Sequence, residues 1–103
     1  MASADYQTIR DAVQRRLIVT AEYRGHPRVF CPHVIGRKKG REHVLGFQFG
    51  GSSSSGLPPG GEWRCFDIVG LSNVFTSSGI WHTGSSHSRP QSCVDDIDAE
   101  VTY

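Results

Sequence analysis

The sequence predicts a mainly β protein, a small antiparallel barrel with one N-terminal α-helix. Short segments with an apolar residue at every second position recur along the chain, and this is the period of strands that bury one face. More than a quarter of the 103 residues are glycine, serine or proline, which suits short strands joined by irregular loops better than a helical bundle. The length allows one domain, residues 1–103, without a second core.

The first predicted element is a short amphipathic helix over residues 5–16. Its apolar positions, which include Tyr6, Ile9 and Val13, recur at intervals of three and four and therefore share one face. Ser3 or Asp5 is the expected N-cap. A helix-turn-helix DNA reader is excluded, because no second helix follows before the strands begin.

Five strands are predicted after the helix, at residues 17–23, 28–35, 42–49, 62–69 and 72–76. The connections at 24–27 and 36–40 contain glycine and have the composition of turns. Pro32 interrupts the second strand, and since proline donates no hydrogen bond to a neighbouring strand, we expect it at a sheet edge or a bulge. Successive short antiparallel strands of this kind favour a small barrel.

Two loops and a closing strand complete the organisation around the predicted core at 5–76. In residues 50–61, eleven of twelve are Gly, Ser or Pro, which predicts a flexible hairpin loop or, alternatively, a mobile flap over a site. Residues 77–92 also form a loop in this interpretation, but aromatic and ionisable groups within it make it a functional candidate. From Ile97 onward the alternation predicts a closing strand, whose acidic face would meet the basic turn at 37–41.

Charge is unevenly distributed along the chain although the net charge is only +1. Residues 1–49 carry +5 and residues 50–103 carry −4. Such a division indicates either opposite basic and acidic surfaces or two halves that pair on folding, and we favour pairing because it requires no partner.

The compartment is predicted from apolar runs, and the state of the cysteines is predicted from the compartment and their number. No apolar run approaches the ~20 residues of a membrane-spanning helix, and the N-terminus lacks the apolar stretch of a secretory signal, so we expect a cytoplasmic protein without membrane contact. The three cysteines, an odd number, then predict reduced thiols rather than a disulfide framework.

The N-terminal helix is followed by LIVTAEYRGHPRVFCPHVIGRKKGREHVLGFQFGG and then by WRCFDIVGLSNV. This ordered set resembles the WYL domain, a small SH3-like or Sm-like barrel found in bacteria. The likeness covers residues 5–76. It consists of the EYRG turn, the CPHVI strand, the triplet HVL where that family often has Trp-Tyr-Leu, and RCFDI where it has an Arg-x-Phe strand.

The resemblance implies a regulatory or ligand-sensing module. WYL domains are best known beside winged-helix DNA-binding domains, and their proposed ligands include single-stranded nucleic acid and nucleotides. The triplet falls on His43, Val44 and Leu45, and the arginine of the fourth strand falls on Arg64. His43 and Val44 stand where the family has Trp and Tyr, and Gly70 stands where a second arginine is expected. The chain looks like a stand-alone member that works alone, by self-association or with another chain.

Basic residues are the candidates for binding an anionic ligand such as a nucleotide or single-stranded nucleic acid. Lysine and arginine give charge-assisted hydrogen bonds to phosphate, and Arg24 and Arg28 could add to these contacts. A base could stack on the face of Phe30, Phe47 or Trp63. The small net charge favours the alternative of a solvated basic turn. The candidate binding residues are Arg64, His43, Arg37, Lys38, Lys39 and Arg41.

A zinc site is the alternative for the cysteines and histidines. Cys31 and His33 lie two apart on a strand, so their side chains leave the same face, and a later loop could return to them. The set lacks a C-x-x-C or H-x-x-x-H pair, and a cysteine in a small barrel is more often part of the core. The candidate ligands are Cys31, His33, His82, His87 and Cys93, of which four would complete a zinc shell.

We expect a non-catalytic protein without a required cofactor. Cys31 with His33, or Cys93 with His87, is a conceivable thiolate and base, but nothing in the spacing fixes their geometry. The glycine-rich segment 50–61 lacks the lysine and following helix of a phosphate-binding loop. A homodimer or a protein partner is a further expectation, because exposed edge strands pair readily with another chain.

Overall fold

A computed structural model of the chain describes residues 3–51, 60–82 and 93–101. His87 and most of the predicted loop at 50–61 lie outside these ranges. The fold is mainly β with one N-terminal α-helix, as the sequence predicts. The elements are α1 (Ala4–Arg15), β1 (Ile18–Tyr23), β2 (His26–Lys38), β3 (Arg41–Gly51), β4 (Glu62–Asp67), a 3₁₀ turn (Ile68–Gly70), β5 (Leu71–Ser77) and β6 (Asp96–Glu100).

The six strands form one antiparallel sheet in the order β4-β3-β2-β1-β5, with β6 also paired to β2. Strand β4 lies at one end of this order and β5 at the other, and the described residues form no pairing between the two. The sheet is therefore barrel-like without being closed. Both predicted late strands are confirmed, since β5 and β6 form where the alternation places them.

Strand β2 is the central strand and has different neighbours along its two halves. Its first half pairs with β1 as far as Phe30, and its second half pairs with β6 from Val34 onward. Pro32 lies between these two stretches, where β2 pairs with neither β1 nor β6. The N–H that proline lacks is therefore not needed for a hydrogen bond to either of these strands. The register against β3 shifts between Pro32 and Val34, which confirms the bulge that the proline predicts.

Two-residue turns connect β1 to β2 and β2 to β3. Arg24 and Gly25 have φ values of 53° and 78°, and Lys39 and Gly40 have 52° and 80°. Consecutive positive φ angles match the right-handed twist of the flanking strands, and glycine at the second position adopts them at little cost. The turns are shorter than the sequence predicts, because the strands continue up to the first residue with positive φ.

The core lies between α1 and one face of the sheet. The Ser3 side chain caps the helix by accepting a hydrogen bond from the Tyr6 N–H, and Ile9 and Val13 are buried against the strands. A smaller apolar cluster of Val34, Leu45, Cys93 and Val94 is formed apart from this main core. No helix in the described ranges is both long and apolar enough to span a membrane.

Ion pairs join the basic first half of the chain to the acidic second half. Arg10 of α1 pairs with Asp98 of β6 at 2.9 Å, and Arg41 of β3 pairs with Asp67 of β4. The two halves therefore pair on folding, as we expect from the charge distribution.

Candidate functional site

Arg64 lies on the core-facing side of β4. It is directly opposite Gly46 of β3, while Phe66, two residues further along, contributes to the core on the same face. The Arg64 Nη2 lies 2.6 Å from a carboxylate oxygen of Glu62, and the arginine side chain is 20% exposed. Arg64 thus occupies the border between the apolar core and solvent.

Arg28 of β2 is a second arginine on this face, and it is buried with 4% relative exposure. Its Nη1 donates to Gln48 Oε1 at 3.3 Å, and its Nη2 donates to the Tyr23 carbonyl oxygen at 3.2 Å. These bonds leave three of the five guanidinium N–H donors without a partner among the described residues. No carboxylate within the described ranges forms an ion pair with Arg28.

Aromatic rings surround the Arg28 guanidinium. Its central carbon lies 5.4 Å from the Tyr23 ring centroid and 5.9 Å from that of Phe66, distances typical of cation–π contacts. Phe66 in turn stacks on Phe30, with centroids 4.5 Å apart. Burial lowers the pKa of Arg28 below its usual range, and the nearby positive charge of Arg64 lowers it further. We call Arg28, Arg64 and Gln48 the arginine site.

The basic residues of the β2–β3 hairpin lie far from the arginine site. Arg41 is five residues from Gly46, the partner of Arg64, which corresponds to about 17 Å along β3. Arg41 pairs with Asp67, and Arg37 lies over the Tyr6 ring at 5.5 Å. The predicted binding residues Lys38 and Lys39 belong to the end and turn of this hairpin, and the six predicted residues are therefore not one cluster.

Arg37 borders a groove of about 500 Å³ between α1 and β6. The groove also contains Arg10, Asp96 and Asp98, so its charges are mixed, and Arg10 is already paired with Asp98. The Tyr6 hydroxyl, which donates to Asp98 at 2.7 Å, occupies part of the same wall. The groove lacks the positive excess that an anion site requires.

His43, the other predicted binding residue, lies on the opposite face of β3 from the arginine site. Its direct partner on β4 is Asp67, whereas Gly46 faces Arg64. His43 Nδ1 donates to the carbonyl oxygen of Cys93 at 3.1 Å and lies 3.7 Å from Cys65 Sγ. On the other side of the ring, Nε2 lies 3.9 Å from an Asp67 carboxylate oxygen.

Cys65 and Cys93 form a disulfide between β4 and the segment before β6. The expectation of three reduced thiols is therefore wrong for these two residues. The number of cysteines says nothing about which ones meet, and here the docking of residues 93–101 on β2 brings Cys93 to the exposed Cys65. Cys31 remains a buried free thiol.

The residues predicted as a zinc shell are grouped differently by the fold. Cys93 is bonded to Cys65, whereas the Cys31 Sγ accepts a hydrogen bond from the His82 backbone N–H at 3.3 Å. The His33 Nδ1 donates to the Cys31 carbonyl oxygen at 2.7 Å, away from the sulfur, and its ring packs against Trp63 and Trp81. Among the described residues, the Cys/His group close enough to share a metal is His43, Cys65 and Cys93, and all its ligand atoms lie within 4.8 Å of one another.

Sequence reasoning offers Arg28 as a phosphate contact but does not foresee its burial, and it misses the role of Cys65. A signal for the burial of Arg28 exists, since Phe30 is a core residue and a position two residues away on the same strand shares its face. No comparable signal exists for Cys65, because its partner lies 28 residues away and meets it only in the folded chain.

The chain matches no protein-family model, no curated protein and no solved structure in three comparisons. The likeness to the WYL domain consequently depends on the ordered motifs alone.

Proposed function

We propose that this protein is a non-catalytic ligand-binding module of WYL-like type with a regulatory role. Its ligand is an anion that carries phosphate, either a nucleotide or single-stranded nucleic acid. The arginine site receives the phosphate, and the hairpin residues 37–41 contribute only long-range attraction. The single observation that carries this proposal is the buried Arg28 guanidinium, which has Arg64 as a neighbour and no ion pair of its own among the described residues.

A buried charge without a counter-ion is costly. Removing an ionised group from water costs several kcal/mol even after the protein relaxes, and a neighbouring like charge adds to that cost. The hydrogen bonds to Gln48 and Tyr23 and the two aromatic contacts offset part of it. An anionic ligand would offset the remaining cost of burial, because it supplies the opposite charge and accepts hydrogen bonds from the unused N–H groups of Arg28.

Arg64 fits the second half of such a site. Its side chain is only one-fifth exposed, so less rotational freedom is lost on binding than for a fully exposed arginine. A guanidinium presents two parallel N–H groups to phosphate, and two arginines on one face of the sheet suit a diester or a terminal phosphate. Glu62, which now pairs with Arg64, would have to release it on binding.

The surroundings of Cys31 support a non-catalytic role. Burial raises the pKa of the Cys31 thiol, although the His82 N–H partly opposes this, so the sulfur stays protonated and weakly nucleophilic. The His33 ring nitrogen closest to this residue bonds to its carbonyl oxygen, which is not the arrangement of a base activating a thiol.

The test is a titration of the full chain with fluorescent oligothymidylate and with a nucleoside triphosphate, followed by fluorescence anisotropy. Arg64→Gln removes a charge-assisted hydrogen bond of about 1.5–3 kcal/mol, which corresponds to an affinity loss of roughly 10- to 100-fold. The slope of log K against log salt should fall by about one. Arg15→Gln is the matched control, because Arg15 is exposed on α1 and pairs with Asp11.

The proposal predicts that Arg64→Gln weakens binding and that Arg15→Gln does not. Equal binding by both variants, or binding of both probes that is insensitive to salt, would contradict it. Arg28→Lys supplies a second variant. It keeps the charge but loses the planar fork, and weakened binding with an unchanged circular dichroism spectrum would separate recognition from folding.

Self-association is the second candidate, and the β5 edge favours it. Strand β5 pairs with β1 on one side, the described residues offer no partner on the other, and Phe75 on this strand is 66% exposed. Two copies could join their β5 edges in an antiparallel pair that covers the two phenylalanines. Sedimentation of the wild type and of Phe75→Lys tests this: a dimer that the lysine dissociates supports it, and a monomeric wild type refutes it.

A further inference from the structure

The His43 face holds a set of groups that the proposed anion site does not use. Cys65 is exposed on β4, Cys93 is buried beside it, and the His43 ring lies against both. Two cysteine sulfurs and an imidazole nitrogen are the ligands that structural and catalytic zinc sites use. We propose that, when the disulfide is reduced, Cys65, Cys93 and His43 bind one thiophilic divalent cation of the Zn²⁺ type, and that disulfide formation abolishes this site.

The distances fit tetrahedral coordination. With Zn–S about 2.3 Å and Zn–N about 2.0–2.1 Å, a tetrahedral site requires about 3.6 Å between a sulfur and a nitrogen ligand. His43 Nδ1 already lies 3.7 Å from Cys65 Sγ. The two sulfurs, now bonded to each other, have to separate to about 3.8 Å in the same geometry, and all the ligand atoms already lie within 4.8 Å of one another. Rotation about the Cα–Cβ bonds after reduction moves the two Sγ atoms and supplies that change.

Contacts other than the disulfide hold the ligands in place. Cys65 is fixed by the pairing of β4 with β3, on which His43 lies. Cys93 is held by the burial of Val94 and by the hydrogen bond from the Asp95 N–H to the Arg37 carbonyl oxygen at 3.0 Å. Reduction therefore leaves both thiols next to the His43 ring.

The His43 ring also has a carboxylate on the side where a metal-bound histidine normally has its partner, since an Asp67 oxygen lies 3.9 Å from Nε2. A metal on Nδ1 would replace the Nδ1–H bond to the Cys93 carbonyl oxygen and leave the ring proton on Nε2, on the side of that carboxylate. Carboxylate–histidine pairs of this kind fix the tautomer and the ring orientation of a ligand. The fourth coordination position would open towards solvent on the exposed Cys65 side and suits a water molecule.

The exchange between the two states balances with named reagents. The zinc form reacts with one hydrogen peroxide and two protons to give the disulfide, free Zn²⁺ and two water molecules. The two sulfurs lose two electrons, the S–S bond forms, and the peroxide O–O bond breaks. A dithiol reverses the step: it is oxidised to its own disulfide and returns two thiols, whose protons are released when the metal binds.

The first experiment titrates the full-length chain with Co²⁺ after reduction by a phosphine and removal of the reductant under nitrogen. We expect one equivalent to bind with thiolate-to-cobalt absorption and the visible bands of a tetrahedral site, and Zn²⁺ to displace it. The oxidised chain should give neither signal. One equivalent of peroxide should release the zinc to a chromophoric chelator. Absence of stoichiometric binding by the reduced chain would overturn the proposal.

Variants identify the ligands. His43→Asn keeps every thiol and should weaken binding by at least about 100-fold, since even loss of a ligand's hydrogen-bond partner costs about 10- to 100-fold. Cys65→Ser should abolish the cobalt spectrum. Cys31→Ser is the matched control, because Cys31 is a buried thiol bonded to the His82 N–H, away from the group. A spectrum lost with Cys31→Ser and kept with Cys65→Ser would overturn the assignment.

Discussion

Reduction of the Cys65–Cys93 disulfide should lower the stability of this chain by an amount that its loop length sets. The bond joins β4 to the segment that carries β6 across a sequence separation of 28 residues. Without it, the unfolded chain gains the freedom of that loop, while the folded chain keeps β6 on β2 through backbone pairing.

The magnitude follows from the entropy of closing the loop. For a separation of 28 residues, the chain-entropy relation gives about 3.6 kcal/mol at 25 °C. A loss of 1 kcal/mol lowers the melting temperature of a domain this size by about 4 °C or more, so reduction should lower it by about 15 °C. A change of that size is a large fraction of the stability of a small domain.

The assay is differential scanning calorimetry of the wild type with and without a phosphine reductant, in the presence of a metal chelator. Cys31→Ser is the control: its absolute melting temperature can differ from the wild type, but its response to reductant should be the same because the disulfide remains. Cys65→Ser combined with Cys93→Ser should not respond to reductant. A wild-type response below about 1 kcal/mol would refute the loop-entropy reasoning.

Two further predictions concern β6. The pKa of Asp98 is held below its usual range, and the hydrogen bond from the Tyr6 hydroxyl is the largest cause. The ionised carboxylate therefore stabilises the fold fully at pH values above its unfolded-state pKa of about 3.9. This stabilisation is lost as the pH falls through the lower pKa of the folded state. Tyr6→Phe should therefore cost about 1 kcal/mol in urea unfolding near about pH 6 and almost nothing near about pH 2, and a pH-independent cost would contradict this. Gly36→Ala would drive a methyl group into the Asp96 backbone carbonyl, and we expect a loss of about 1–3 kcal/mol with faster hydrogen exchange at the Asp95 amide. Unchanged hydrogen exchange at the Asp95 amide would contradict the prediction that the added methyl group displaces β6 from β2.

Local sequence patterns were sufficient to predict the helix and the strands of the fold. The helix with its Ser3 cap, the buried face of β1 at Val19 and Ala21, and the bulge at Pro32 all depend on residues within a few positions of each other. The turn lengths were predicted less well, since Arg37 and Lys38 have the composition of a turn yet continue β2. In these positions the pairing with β3 outweighs local preference.

The candidate sites depend on register, which the sequence alone does not specify. The sequence predicts His43 and Arg64 as residues of one anion-binding site. Arg64 pairs with Gly46, which is three residues from His43 on β3, so the side chains of His43 and Arg64 lie on opposite faces of the sheet. Arg28 is a candidate phosphate contact from its charge alone, but its burial depends on the fold. Cys65 and Cys93 are brought together by a tertiary contact, which the periodicity of the sequence does not indicate.

The disulfide and the metal site compete for the same sulfurs, and their energies are comparable. Reduction without metal removes about 3.6 kcal/mol, whereas a ligand present at about 1,000 times its dissociation constant stabilises the folded chain by about 4.1 kcal/mol. The reduced chain with such a concentration of Zn²⁺ should therefore melt close to the temperature of the oxidised chain. His43→Asn should keep the full response to reductant and lose the rescue by zinc, because the histidine belongs to the metal site and not to the disulfide. Rescue of His43→Asn to the wild-type temperature would instead mean that zinc acts elsewhere on the chain.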